Sequence, residues 1–215
     1  MPIVSRDAVP GCRDPPTYLP DPPEIPRWTC AGHAPARTVR HVGTRDEALT
    51  DLTSLISART YVTGDREDVV PTCIAGLTLM RANRPTSVDA SCYEPVICLI
   101  LQGRKEIELG PRRVGAGRGQ SIIVSHDLPV RTRIVEASPE RPYLVAVVRL
   151  DVATLRSLAD GIDDTDPVRL DNVALEVGTA GPDVVDTVRR LVGLIDHPAD
   201  ADVLAPLVLR ELHYR

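Results

Sequence analysis

The chain has 215 residues, a formal net charge of −5 and a sequence pI near 5.5, and 43% of its residues are hydrophobic against 26% charged. This balance is typical of a globular protein with one ordinary domain and tails. The acidic charge argues against the whole chain being a nucleic-acid-binding domain, because phosphate neutralisation needs clustered basic residues. No segment has the roughly 20 apolar residues of a membrane span, and the N-terminus lacks the apolar core of a signal peptide. We therefore expect a cytoplasmic protein with no membrane partner.

The cysteines do not have the spacing of a disulfide framework or a zinc cluster. They are odd in number, scattered and never spaced C-x-x-C: Cys12, Cys30, Cys73, Cys92 and Cys98. Lys105 is the only lysine among the 25 lysine and arginine residues, and phenylalanine is absent. This bias follows from a GC-rich codon supply and by itself indicates nothing about mechanism.

Residues 1–43 are predicted to form a Pro-rich disordered arm. Nine of the 20 prolines lie within residues 1–45. Proline fixes φ and removes a backbone donor, so neither helix nor sheet is expected there. Trp28, the only tryptophan, lies in this arm. Two interpretations stay open: an arm that docks through Trp28, or a solvated leader, which the low hydrophobicity favours.

The first ordered element is a predicted helix of about three turns. Thr44 and Glu47 have the spacing of a capping box, in which each residue satisfies a backbone donor near the other. Leucine and isoleucine then recur at helical spacing up to a predicted end near Arg59.

Between Pro71 and Leu150 the pattern changes to short apolar segments separated by glycine and proline. Six or more short strands at roughly ten-residue spacing predict a sandwich or barrel rather than a parallel α/β sheet. The predicted strands are residues 74–84, 95–102, 105–109, 120–125, 131–135 and 143–150. We expect Arg112, Arg113 and Arg118 in a basic loop, and residues 115–119 in a flexible glycine hairpin.

Helical periodicity returns after Asp151, first in a short predicted helix at 152–160. Pro182 is expected to open a longer helix that stops at Pro198, and Pro206 to open another. Since residues 211–215 carry no capping signal, we expect the chain to be cut at a domain junction. The predicted organisation is thus an arm at 1–43, a helix with a β-barrel at 44–170, and C-terminal helices at 171–215.

Four segments together resemble the N-terminal domain of a subfamily of AraC-type bacterial transcription regulators. They are residues 93–105 (YEPVICLILQGRK), 119–129 (GQSIIVSHDLP), 136–143 (EASPERPY) and 203–215 (VLAPLVLRELHYR). The resemblance implies a mainly β fold, a cupin-like β-barrel (a double-stranded β-helix), with one helix before it and a helical pair after it. It also implies a domain that binds a small effector or mediates dimerisation. From this resemblance we expect the family's helix-turn-helix domain, which would contact DNA, to be missing after residue 215.

A metal-dependent cupin enzyme is the main alternative. With Gly103 as the anchor, the positions nearest the usual cupin ligands are Ala90, Cys92 and Ile97. Of these only Cys92 is a conceivable ligand, and His126 alone cannot hold a catalytic metal, which typically needs three protein ligands. We therefore predict no catalytic residue, no metal and no cofactor. A truncated regulator that acts only by pairing with a full-length partner is a third interpretation.

Three residues are candidates for effector binding: Tyr93, Glu94 and His126. Tyr93 and Glu94 precede the most apolar strand, where they would line the barrel mouth, unless Glu94 merely pairs with a surface arginine. His126 would either face into the barrel or cap the turn around it, and the neighbouring Asp127 and Pro129 favour the turn.

The C-terminal helices carry more apolar residues than one barrel face would cover. We therefore predict a homodimer, because a two-fold interface is the commonest way to bury such a surface. The predicted interface residues are Val185, Val192, Leu207 and Leu212. Helices that fold back fully onto their own barrel are the competing explanation.

Overall fold

The computed structural model describes residues 44–60, 68–160 and 174–215. The predicted arm at 1–43, with Trp28, lies outside the described residues. Helix α1 spans Arg45–Arg59, and its capping box is confirmed: the Thr44 hydroxyl accepts from the Glu47 amide while the Glu47 carboxylate accepts from the Thr44 amide. Its buried leucines and isoleucine face the sheet, as the helical spacing predicted.

Ten strands within the described residues form two antiparallel sheets. The six-stranded sheet has the order β1-β2-β9-β4-β7-β10, and the four-stranded sheet has the order β3-β8-β5-β6. Their bounds are β1 Asp68–Pro71, β2 Leu77–Ala82, β3 Asp89–Tyr93, β4 Val96–Gln102, β5 Arg104–Leu109, β6 Arg112–Gly117, β7 Gln120–Val124, β8 Leu128–Glu136, β9 Tyr143–Arg149 and β10 Leu175–Thr179. The predicted mainly β, cupin-like architecture is confirmed.

The six-stranded sheet is covered on both faces, which explains why β4 and β9 are almost continuously apolar. Successive side chains of a strand point to opposite faces. Ile100 and Val145 therefore pack against the four-stranded sheet, whereas Leu101 and Ala146 pack against the helices. The four-stranded sheet contributes Ile107 and other apolar residues to the shared core between the two sheets.

In the described part of the chain, four helical segments follow or interrupt the sheets: α2 Val152–Ala159, α3 Pro182–Gly193, a short 3-10 helix Leu194–Asp196, and α4 Pro198–Tyr214. The helix opened by Pro182 does end before Pro198, as expected, but the expected start at Pro206 is wrong, since α4 begins at Pro198 and runs without a break through Pro206. Pro198 occupies the first turn, where its absent N–H would have no helical partner. Pro206 lies on the exposed side of α4, where water can hydrate the carbonyl that loses its donor.

The structure also places strands where loops or helices were predicted. The basic loop and the glycine hairpin are largely strand β6, which pairs with β5 along its whole length. The glycines lower the β propensity of this segment, but pairing with a neighbouring strand overrides propensity. A Cβ at Gly115 would lie 2.5 Å from the Arg104 guanidinium, so a larger residue there would require this flexible side chain to move. β10 lies in the segment predicted to be helical and pairs with β7.

The C-terminal helices cover their own sheet, which corrects the expected exposure of three of the four predicted interface residues. Val185 and Val192 have 0% of their surface exposed, and Leu212 has 5%, because all three belong to the core between helices and sheet. Leu207 lies on the opposite side of α4 and is 62% exposed. Arg190 of α3 and Glu211 of α4 form an ion pair of 2.5 Å that joins the two helices.

Candidate functional site

A cavity of about 430 Å³ lies between the two sheets. Its lining comes from the inner face of β2, β4, β7 and β9, from β3 and β5 of the facing sheet, and from the turn between β1 and β2. The volume is within the range of about 300–1,000 Å³ that small-molecule sites occupy.

Most of the lining is apolar because the strands that build it alternate. Val96, Cys98, Val145 and Val147 are among the β4 and β9 residues that point toward the four-stranded sheet, and all four line the cavity. Cys98 and Val147 stay half-buried while the next residues in each strand are fully buried, because the cavity leaves part of their surface uncovered. Met80 of β2 also lines this cavity.

Lys105 brings a positive charge to the cavity. In β5, Lys105 lies on the same side as the buried Ile107, while Glu106 and Glu108 lie on the other side of the strand. The Lys105 Nζ is 5.3 Å from the centre of the Tyr93 ring, within cation–π range. Among the described residues, no carboxylate lies within 4.0 Å of this ammonium group.

The Cys98 thiol, which feels the charge of this ammonium group, is itself uncharged. Burial raises the pKa of the Cys98 thiol to about 11, and the attraction of the Lys105 ammonium only partly opposes this. Cys98 is therefore a neutral thiol at physiological pH and does not compensate the charge of Lys105.

The three predicted effector-binding residues do not come together. Tyr93 and Glu94 line the cavity, and Glu94 also forms an exposed ion pair of 3.5 Å with Arg149, the surface pair that was its alternative interpretation. His126 is exposed in the connection between β7 and β8, its Nδ1 is 2.9 Å from the Ser125 hydroxyl, and it is not among the described residues that line the cavity.

The turn at residues 72–76 is shared by the cavity and α4. Thr72, Ile74 and Gly76 line the cavity, while Ile74 and its neighbours also line a smaller space of about 180 Å³ against α4. On the α4 side that space is lined by Ala201, Asp202, Ala205, Pro206 and Leu209.

Internal hydrogen bonds hold this turn in shape. The Thr72 hydroxyl donates to the Leu77 carbonyl at 2.9 Å, and the Arg149 amide of β9 donates to the Gly76 carbonyl at 2.9 Å. Gly76 has a φ of 85°, a conformation that other residues rarely adopt. The turn is thus an ordered wall, and Ile74 within it is buried.

The described residues contain neither a metal centre nor a membrane-spanning helix. Within residues 44–60, 68–160 and 174–215, no three His, Cys, Asp or Glu side chains are grouped so that they could hold a metal ion. Among the helices in the same ranges, none has the length and apolar character needed to cross a membrane.

Comparison with known families identifies the class of protein. Residues 73–215 match the family model of the AraC-type transcriptional regulator N-terminus. The match covers well over half of the chain, and the chain therefore belongs to this family. The search of curated proteins gave no match.

Solved structures with low sequence identity align over part of the chain. An apo form of a ToxT variant from Vibrio cholerae strain SCE256 aligns with 8% identity and a TM-score of 0.45, over 64% of this chain and 54% of ToxT. The AraC-like transcriptional activator CuxR aligns with 14% identity and a TM-score of 0.39, over 64% of this chain and 49% of CuxR. A cupin superfamily protein from Desulfitobacterium hafniense DCB-2 aligns with 13% identity and a TM-score of 0.35, over 44% of this chain and 87% of that protein. This chain spans about half the length of the two regulators.

Sequence reasoning missed two parts of this site. Lys105 was noted as the only lysine but explained by codon usage, although its side of β5 was readable from the alternation with Ile107. The shared turn gave no sequence signal, because its contact with α4 joins segments more than 120 residues apart.

Proposed function

We propose that this domain senses a small-molecule effector in the cavity between its sheets and transmits the occupancy of that cavity to α4. The observation that carries the proposal is the turn at 72–76, which lines the cavity on one side and lies against α4 on the other. The role is regulatory rather than catalytic and needs no metal or cofactor.

The turn is suited to transmit a change because hydrogen bonds hold it together as a unit and Ile74 belongs to the same buried cluster as Ala201 and Ala205 of α4. The hydrogen bonds of Thr72 and Gly76 fix the shape of the turn. Ala201 and Ala205 of α4, which face the turn, are small and buried. Protein interiors are close-packed, so a displaced wall residue such as Ile74 has to be accommodated by its neighbours. An effector that binds better to one position of α4 than to another shifts the population toward that position.

The exposed side of α4 supports a homodimer as the partner arrangement. Val203, Leu207 and Tyr214 are 66%, 62% and 65% exposed, and their spacing of four and seven residues places them along one stripe of the helix. A second copy of this chain is the occupant we propose for this stripe. Its position would depend on α4, so effector binding would change the geometry of the dimer.

Contact with DNA is assigned to another domain of the regulator. The chain carries a net charge of −5, which is unfavourable for a surface that must neutralise phosphates. Because the family regulates transcription, we place the protein in the cytoplasm. In this arrangement the domain described above sets the spacing of the DNA-binding domains on two half-sites.

Met80 provides a direct test of binding in the cavity. The chain has two methionines, Met1 and Met80, and Met80 lines the cavity. With ¹³C-methyl-methionine labelling, octan-1-ol and octanoate serve as apolar probes, and a Met80→Leu variant assigns the signal. We expect at least one probe to shift the Met80 methyl resonance saturably.

Two tryptophan substitutions, one inside the cavity and one outside it, form a matched pair of variants. Val147→Trp fills the cavity and should abolish the shift, whereas Ile123→Trp adds the same side chain at a position that is 41% exposed and should preserve it. A Met80 signal that responds to neither probe, or that responds equally in the Val147→Trp variant, would contradict the proposal.

A further inference from the structure

The charges on β5 are divided between its two sides. On the outer side, Glu106 forms an ion pair of 2.6 Å with Arg133, and Glu108 forms one of 2.5 Å with Arg113. The Arg133 hydrogen bond lowers the pKa of the Glu106 carboxyl, which confirms that the pair stabilises the charged form. The nearest acidic residues along the strand are therefore engaged elsewhere and point away from Lys105.

The cavity side of the same strand has an excess of positive charge. Three charged residues line the cavity among the described part of the chain: Glu94, Lys105 and Arg149. Glu94 and Arg149 pair with each other and are 66% and 72% exposed, so solvent screens both. Within residues 44–60, 68–160 and 174–215, Lys105 therefore has no carboxylate partner and brings one positive charge to a mostly apolar wall.

The Lys105 ammonium group interacts with two neutral groups. The Tyr93 ring offers its π face at 5.3 Å, and the Cys98 thiol is protonated at physiological pH. A ring face interacts with an ammonium group more weakly than a carboxylate does in a site from which water is excluded. The ammonium group is thus positioned to exchange its ring contact for an anion that arrives with an apolar body.

We infer that the effector is an apolar molecule that carries one carboxylate or a similar anionic group, and that Lys105 binds this group. The inference rests on the proposed function, because it names the ligand chemistry of the same cavity. Lys105 acts as the residue that discriminates anionic from neutral ligands, and the half-buried β4 and β9 side chains contact the apolar part.

The test compares octanoate with octan-1-ol, which have the same chain length and differ in charge. Their dissociation constants are obtained by titrating the Met80 methyl resonance. We expect the full chain at pH 7.5 to bind octanoate about tenfold or more tightly than octan-1-ol, the effect of a charged hydrogen bond. This preference should decrease as salt is raised.

Variants then assign the preference to one residue. Lys105→Met removes the charge at similar length and should bring the two dissociation constants within about twofold of each other, whereas Lys105→Arg should keep the preference for octanoate. Arg113→Met removes a positive charge that pairs with Glu108 on the outer side of β5, away from the cavity, and should leave the preference unchanged.

The failures of the two ideas are distinguishable. If neither probe shifts Met80, the cavity is not a ligand site and the proposed function fails. If both probes bind but the wild-type chain does not prefer octanoate, or if Lys105→Met retains the preference, only the inference about anionic ligands is overturned. The wild-type comparison does not depend on whether any variant folds.

Discussion

The guanidinium of Arg190 in α3 donates a hydrogen bond of 2.5 Å to the carboxylate of Glu211 in α4. Arg190 also contacts Asp186 in its own helix, and Arg215 at the end of the chain pairs with both Asp183 and Glu211. These charges join the last helix to the helix that covers the sheet. The position of α4 is therefore fixed by polar contacts at its end as well as by its buried apolar side chains.

The Arg190–Glu211 pair makes stability depend on pH in a defined direction. The hydrogen bond from Arg190 is the main cause of a lowered pKa of the Glu211 carboxyl. Because this pKa is lower in the folded than in the unfolded state, the stabilisation is present above the unfolded value of about 4.3. It is lost as pH falls through the lower folded value.

Replacement of Glu211 by Gln should consequently lower the midpoint of urea unfolding at pH 7, and this loss should become smaller as the pH is lowered below 4. The effect will be small because both side chains are about one third exposed. Glu140→Gln in the exposed connection between β8 and β9 is the control and should leave the midpoint unchanged at each pH. An equal loss of stability for Glu211→Gln at pH 7 and below pH 4 would show that the pair contributes nothing through charge.

The two sides of the C-terminal helices should respond differently to a new charge. Val192→Asp places an unpaired carboxylate in the core of the chain. An uncompensated buried charge costs about 3–5 kcal/mol, so this variant should lose cooperative unfolding. Leu207→Glu changes an exposed position, and its circular dichroism spectrum and melting temperature should stay close to wild type.

Oligomeric state measured by light scattering then tests the proposed dimer. We expect the wild-type chain to have the mass of a dimer and Leu207→Glu to have that of a folded monomer. Thr50→Glu on the exposed side of α1 is a charge control that should leave the dimer intact. A dimeric Leu207→Glu variant would place the interface somewhere other than on the exposed stripe of α4.

Local signals in the sequence predicted the start of α1 and the strands of the core. The Thr44–Glu47 capping box depends on contacts three residues apart, and the structure contains both of its hydrogen bonds. β4 and β9 were found because a strand covered on both faces is apolar at nearly every position. The same property hid which face each residue occupies, because alternation is not visible in a continuous apolar run.

Features that depend on distant partners were not predicted. β6 contains two glycines and two arginines, and it is a strand because β5 supplies its backbone hydrogen bonds. Which apolar residues of the C-terminal helices are buried and which are exposed was also predicted incorrectly. Their apolar residues were visible, but the burial of Val185, Val192 and Leu212 follows from how the helices lie on the sheet.

The candidate site was predicted only in part, for a related reason. Tyr93 and Glu94 were found because they immediately precede the most apolar strand, and both line the cavity. His126 was selected by residue type and lies in an exposed connection instead. Lys105 and the turn at 72–76 acquire their significance from neighbours on other strands and on α4, which no local pattern reports.

Hydrogen exchange of the α4 backbone amides tests the central claim most directly. The full chain is compared with and without octanoate at a concentration that saturates the Met80 methyl shift, and α1 is the internal control because it packs against α3 and the outer face of the sheet rather than against the turn at 72–76. We predict a severalfold change in exchange rates around Ala201 and Ala205 and no change in α1. Saturated binding with unaltered exchange in α4 would contradict the claim that occupancy of the cavity is transmitted to this helix.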